Sequence, residues 1–232
     1  MTSVDGLSVL VIGASGGLGS SICRQLNGLG TRLTLHGRDE DRLRALGLDA
    51  AYVCGDLRDA DTAQTCVDAA VSAYGRLDGV VIASGVVAFG MISQLSDDVL
   101  VDLFAINTLA PIRIVRSALP YLEASAKDGA NPFVVNLSAV VAEQPTAGMA
   151  SYSASKAALT SFDTAASREL RRSGIRLIDA RPPHTETGLA NRPLAGEPPR
   201  LPQGLEPQAV VARVIDAITQ DERDLPSTAF MA

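Results

Sequence analysis

Tyr152 and Lys156 stand four residues apart in the run Tyr152-Ser-Ala-Ser-Lys156. In a helix that spacing puts both side chains on one face. A free tyrosine, with a pKa near ~10, is a poor acid–base catalyst at neutral pH. A neighbouring ammonium favours the phenolate and lowers that pKa. Such a pair can give a proton to a carbonyl or take one from an alcohol. Tyr-x-x-x-Lys also arises by chance on amphipathic helices, so it needs context. Fourteen residues before the tyrosine, the run Phe133-Val-Val-Asn-Leu-Ser138 ends in Ser138. A hydroxyl there can donate to an oxygen that is gaining negative charge. Taken alone, a strand-end serine is more often a turn residue.

A second constellation lies near the N-terminus, in Gly13-Ala-Ser15-Gly16-Gly17-Leu18-Gly19. It follows a short apolar run and opens a helical stretch, which is the context a dinucleotide site requires. Glycines let the backbone approach a pyrophosphate, and a helix N-terminus supplies N–H donors and a positive dipole. A tight strand–helix turn without any ligand has the same composition. The next strand ends in Leu35-His36-Gly37-Arg38-Asp39, with no carboxylate at 36 or 37 to accept from a ribose 2′-hydroxyl. The Arg38 guanidinium can hold a 2′-phosphate through two charge-assisted bonds. NADP(H) is therefore favoured over NAD(H). Arg38 as a solvated surface charge, and Asp39 as its partner or as a ribose acceptor, stay open.

These groups need a scaffold that brings residues 13–19, 138 and 152–156 together. Short apolar runs predict strands over 7–12, 32–35, 51–54, 77–83, 133–137, 175–180 and 225–230. Helical spacing predicts helices over 17–27, 41–46, 61–74, 97–123 with a break at Pro111, 150–172 ending at Gly174, and 208–218. Strand and helix alternate, which implies a doubly wound parallel sheet with helices on both faces. Residues 181–207 hold seven of the twelve prolines and no periodicity, so they read as a long loop. Neither a repeat nor a linker divides the chain, and one domain over 1–232 is expected.

The glycine spacing, Gly-x-x-x-Gly-x-Gly, resembles that of the short-chain dehydrogenase/reductase family, with Gly13, Gly17 and Gly19 on its three glycines. Ile12 stands where the family usually has threonine. The resemblance runs from about residue 7 to 187 through five motifs in the family's order. It implies a sheet of order 3-2-1-4-5-6-7 and a catalytic set of Asn107, Ser138, Tyr152 and Lys156. In that set Ser138 stabilises the substrate oxygen and Tyr152 is the acid or base. Lys156, with the charge of an oxidised nicotinamide, lowers the tyrosine pKa and binds ribose hydroxyls. Asn107, in Asn107-Thr-Leu-Ala-Pro111, distorts its helix and holds a relay water; on residue type alone it is a helix-bend polar group. Asp56-Leu57 matches the pair that meets the adenine, although an N-cap or turn aspartate reads the same. Ile82-Ala83-Ser84-Gly85 keeps only the glycine of the family's Asn-Asn-Ala-Gly, and Ser84 and Gly85 are expected on the adenine–ribose side. Pro182 and Thr187 match a Pro-Gly-x-x-x-Thr pattern that holds the nicotinamide carboxamide. Pro183 replaces its glycine, so that turn must differ locally. His184 is expected in a structural or solvent-exposed role, with substrate contact as the alternative. The resemblance also implies homodimers or homotetramers through the two long helices.

Composition narrows the classes. Twenty basic against 26 acidic residues leave a net charge of −6, which argues against nucleic-acid or anionic-membrane partners. With 47% hydrophobic residues but no tryptophan, the core must be aliphatic, as suits strands buried on both faces. Cys23, Cys54 and Cys66 fit no disulfide or metal framework, and no metal is expected. Neither a signal peptide nor a membrane span is read, so a cytoplasmic location is expected. The reaction expected is hydride transfer between a nicotinamide and a small carbonyl or alcohol. A non-catalytic NAD(P)-binding sensor is the alternative, opposed by the complete catalytic set. A dehalogenase is opposed by the glycine turn, and a sugar-nucleotide epimerase by the short stretch after Thr187. Substrate identity is not readable. The loop at 188–207 is expected to cover it, with Leu189, Ala190 and Leu194 as a pocket wall or as solvent-side packing.

Overall fold

Every position of Ser8-Val-Leu-Val-Ile12 is buried, and the run forms strand β1 (Ser8–Ile12) in a computed structural model that describes residues 1–231. Residue 232, the last of the expected domain span, lies outside the described residues. The pleat sends Val9 and Val11 to one apolar layer and Leu10 and Ile12 to the other. The first layer packs against helices α1 (Gly17–Gly28) and α7 (Pro207–Thr219), which contribute Ile22, Leu26, Val211 and Val214. The second packs against α3 (Thr62–Tyr74), α5 (Ala110–Lys127) and α6 (Ala150–Leu170), through Val67, Ile114, Leu122 and Leu170. The remaining strands are β2 (Arg32–Gly37), β3 (Ala50–Cys54), β4 (Gly79–Ile82), β5 (Phe133–Leu137), β6 (Arg176–Ala180) and β7 (Asp224–Leu225). They form one seven-stranded sheet in the order β3-β2-β1-β4-β5-β6-β7. All neighbours are parallel, with Ile12 opposite His36 on one side and Ile82 on the other. The expected doubly wound fold is the one observed. Its crossovers diverge between β1 and β4, and there a crevice opens at the carboxyl ends of the strands.

Three elements differ from the sequence expectation. The strand predicted over 225–230 is only the two residues of β7, followed by a 3-10 turn at Ser227–Phe230. Pro226 has no N–H to continue the ladder. The helix predicted over 97–123 is α4 (Asp97–Phe104), a π turn at Ala105–Leu109, and then α5. An ordinary helix would pair the Asn107 carbonyl with the N–H of residue 111, which is proline and has none. The predicted helix over 41–46 is the shorter α2 (Glu40–Arg44), capped by Asp39, whose carboxylate accepts from the Arg42 N–H at 3.1 Å. Among the described residues no helix is long and apolar enough to cross a membrane.

Candidate active site

Three glycines make the reversal from β1 into α1. Gly13 has φ +78°, and a Cβ there would lie 2.8 Å from the Ser84 nitrogen. A Cβ on Gly17 would lie 2.6 Å from the Thr187 side chain, and one on Gly19 only 2.1 Å from the Gly13 carbonyl oxygen. The turn is tied to the end of β2, where the Gly13 and Ala14 N–H groups donate to the His36 carbonyl at 3.1 and 2.9 Å. Helix α1 starts at an uncapped Gly16 and has no acidic residue in its first turn. Its leading N–H groups and positive dipole end are therefore left for an external anion.

Gly13, Ser15, Gly16, Gly17 and Leu18 line a cleft that continues past Arg38, Asp56, Leu57, Ser84 and Gly85 to Ser138, Tyr152, Lys156, Pro182 and Thr187. Two of the expected residues are not on its wall. Gly19 lies beneath the turn, because its role is to let the backbone of α1 pass under Gly13. Asn107 is fully buried behind Gly85, where a Cβ would come 3.5 Å from Asn107 Oδ1 and 3.6 Å from Lys156 Nζ. Both donors of the Asn107 side chain are engaged. Its Oδ1 accepts from the Val86 N–H at 2.9 Å, and its Nδ2 donates to the Val86 carbonyl at 2.9 Å and to Ser155 Oγ at 3.0 Å. No N–H of the side chain is left for a water.

β5 delivers Ser138 and α6 delivers Tyr152 and Lys156 one turn apart. Ser138 Oγ donates to the Lys156 carbonyl at 3.3 Å and lies 3.1 Å from Thr160 Oγ1. Lys156 Nζ donates to the Leu137 carbonyl at 2.8 Å. The Tyr152 ring packs with Val87, Phe89, Leu103 and Val141. The electrostatics correct one expectation. Burial pushes the Tyr152 phenol up to about 12 instead of down, and it pushes the Lys156 ammonium down to about 8. In the protein's own field desolvation outweighs any help from the lysine charge.

The loop after β6 is fastened at several points. Thr185 bridges to Leu205, the Leu194 N–H donates to the Val87 carbonyl at 2.8 Å, and the Phe89 N–H donates to the Ala195 carbonyl at 2.9 Å. Leu189, Ala190 and Leu194 pack against the cluster around Tyr152, and Leu189 also lines the cleft. His184 turns towards Glu186, 3.5 Å away, and is absent from the cleft wall. Asp56 accepts from the Arg58 N–H at 2.9 Å, a turn contact, while also facing the cleft.

The family model for short chain dehydrogenase matches residues 8–197. The chain belongs to the short-chain dehydrogenase family. This dehydrogenase is 29% identical over 201 residues to ipsdienol dehydrogenase of Ips pini, covering 83% of this chain and 79% of the relative. It is also 29% identical over 179 residues to a 2,5-dichloro-2,5-cyclohexadiene-1,4-diol dehydrogenase of Sphingobium indicum, covering 74% and 70% of the two chains. In fold it matches a 3-ketoacyl-(acyl-carrier-protein) reductase from Brucella melitensis complexed with NADH, with TM-score 0.88 and 20% identity over 97% of both chains. A short chain dehydrogenase from Burkholderia cenocepacia in complex with NADP gives TM-score 0.85 and 24% identity over the whole of both chains. The dehydrogenase is thus an NAD(P)-dependent oxidoreductase.

Its own residues fit such a cofactor. Ser84 Oγ is buried on the cleft wall with no hydrogen-bond partner. Side chains at Gly13 or Gly17 would fill the cradle, and the first turn of α1 has free donors. Sequence reasoning missed Arg42 and Arg192, both on the cleft wall. Arg42 had a readable signal: it lies four residues after Arg38, on the helix that Asp39 caps, and its Nη2 reaches the Ser15 carbonyl at 3.2 Å. Arg192, in the proline-rich loop, lies where no periodicity exists to place it.

Proposed function

We propose that this dehydrogenase transfers hydride between NADP(H) and a small carbonyl or alcohol, with Tyr152 as the acid or base. The observation that carries the reading is the single cleft that holds the glycine turn and Arg38 at one end and Ser138, Tyr152 and Lys156 at the other. When bound, the nicotinamide cofactor supplies or accepts the hydride. Ser138, held beside Thr160, turns its one O–H from the Lys156 carbonyl to the substrate oxygen as charge develops there. Tyr152 gives that oxygen its proton, and Lys156, near the Asn107 side chain across Gly85, offers an ammonium to ribose hydroxyls. Because both Asn107 side-chain N–H groups are used, a relay water there would donate to Asn107 Oδ1 or meet the backbone of the π turn. Leu189, on the cleft wall and packed against the apolar cluster around Tyr152, favours a substrate with a hydrophobic body. Exposed Val101 and Leu109, on α4 and the π turn, support self-association through the long helices.

The preference for NADP(H) rests on Arg38 and Arg42 together. Asp39 caps α2 through Oδ1 and forms no ion pair with Arg38, which favours a free guanidinium for a 2′-phosphate. Fluorescence titration should give tighter binding of NADPH than of NADH, and tighter NADH binding overturns the preference. Arg38→Ala should weaken NADPH by roughly tenfold, the worth of one charge-assisted contact, and leave NADH nearly unchanged.

A further inference from the structure

Behind Ser138 and Lys156, on the side away from the cleft, lies a polar cluster that the scheme above does not use. Asn136 on β5 and Asp179 on β6 stand opposite each other in the parallel register. Asp163 on α6 joins them through Asn136, its Oδ1 accepting from Asn136 Nδ2 at 2.6 Å. Asn136, Asp163 and Asp179 are 0%, 1% and 5% exposed. Arg181 Nη1 holds Asp179 Oδ2 at 2.5 Å, but that guanidinium is shared with Glu143 and with Asp224 at 2.8 Å. Thr160, whose hydroxyl touches Ser138 Oγ, also lies near Asp179 and stabilises its anion.

Three oxygens of this cluster are buried without a well-directed partner: Asn136 Oδ1, Asp163 Oδ2 and Asp179 Oδ1. With both aspartates ionised all three can only accept, so no donor exists among them. Asp163 and Asp179 both flank Asn136, and two ionised carboxylates that repel each other at this depth are also strongly disfavoured. One proton on the pair removes the second defect and eases the first, since its single O–H donor can link two of the three oxygens.

We propose that Asp163 and Asp179 share one proton, and that the single negative charge of this buried pair is what holds Lys156 as an ammonium. Both are positioning residues, since neither touches the cleft. The charged groups facing the pair are Lys156 from α6 and Arg181 from the segment after β6, and the latter is balanced by Glu143 and Asp224. The electrostatics run the same way. Burial, reinforced by the charge on Asp179, pushes Asp163 up to about 8, while the two carboxyls oppose the burial that lowers Lys156. Either aspartate alone suffices, because neutralising one leaves the other ionised.

The test compares Asp163→Asn, Asp179→Asn and the double variant of the full chain. It rests on the proposed role of Lys156, so one arm avoids activity altogether. Carbon-13 NMR of labelled aspartate carboxyls should show one resonance titrating near about 8, missing from Asp163→Asn. If every carboxyl titrates in the ordinary acid range, the shared proton is refuted. By linkage the folded state keeps an extra proton between the ordinary 3.8 and about 8. Wild-type stability should therefore fall, relative to Asp163→Asn, as pH rises through that window. In the activity arm, the alkaline loss of kcat/KM should move down by about one pH unit or more in the double variant and much less in either single one. A double variant with the wild-type limb overturns the hold on Lys156 even if the resonance behaves as expected. The amide keeps the Asn136 contact, and wild-type NMR decides on the shared proton should the double variant not fold. Failure of the catalytic reading would show instead as an active Tyr152→Phe with the resonance intact.

Discussion

Tyr152→Phe lowers turnover by about 10²–10⁴-fold, the usual worth of a positioned proton donor. The substitution removes one oxygen and keeps the ring within the cluster of Val87, Phe89, Leu103 and Val141. No protein group among the described residues hydrogen-bonds to that hydroxyl, so its loss strands no partner. Melting temperature and NADPH affinity should therefore hold while kcat falls. Steady-state kinetics on any carbonyl that the wild type reduces, beside a thermal melt, separates these effects. Near-normal turnover sinks the acid–base assignment. The direction of the Tyr152 shift adds a sign. A phenol pushed up to about 12 is protonated at neutral pH, ready to give a proton and unready to take one. Carbonyl reduction should be nearly flat around pH 7, whereas alcohol oxidation should climb with pH.

Gly19→Ala weakens NADPH binding by roughly ten- to hundredfold, although Gly19 does not line the cleft. Its methyl would lie 2.1 Å from the Gly13 carbonyl oxygen and 2.9 Å from the Gly13 carbonyl carbon, both backbone atoms. The turn has to move, and an overpacked site of this kind costs about 1–3 kcal/mol, with tenfold in affinity per ~1.4 kcal/mol. Gly13 cannot yield easily, since its φ of +78° and its contact with Ser84 fix it. A fluorescence titration reads the loss, and a melt should show a fall of several degrees. Gly28→Ala is the control: no atom lies within 4 Å of its would-be methyl. It should leave affinity unchanged and stability unchanged or slightly raised, and an equal loss at both positions would refute the packing argument.

The sheet was legible because parallel strands buried on both faces are continuous apolar runs, as in Phe133–Leu137. The glycine turn was legible because its demands fall on consecutive residues. Less local features were not. The π turn has no composition of its own; only Pro111, four residues after Asn107, hinted at it. The brevity of β7 was written in Pro226, but the apolar residues beyond outweighed that signal. Arg192 sits in a loop whose place is set by backbone bonds from Leu194 and Ala195 to residues far away in the chain.

Tyr152 and Lys156 mark where the sequence alone succeeded and where it stopped. Spacing along one helix is a covenant of local geometry, so their shared face, like the run into Ser138 and the glycine turn, followed from residue type and order. Their proton affinities did not. Burial is a property of the whole fold, and it moved both groups opposite to the sense that a simple tyrosine–lysine pairing predicts. Asp163 and Asp179, sixteen residues apart in the chain, became neighbours only when α6 packed onto the β5–β6 pair. Sequence determined which chemical groups are present and which share an element. Tertiary packing alone decided which of them share a dielectric, and with it which proton each one holds.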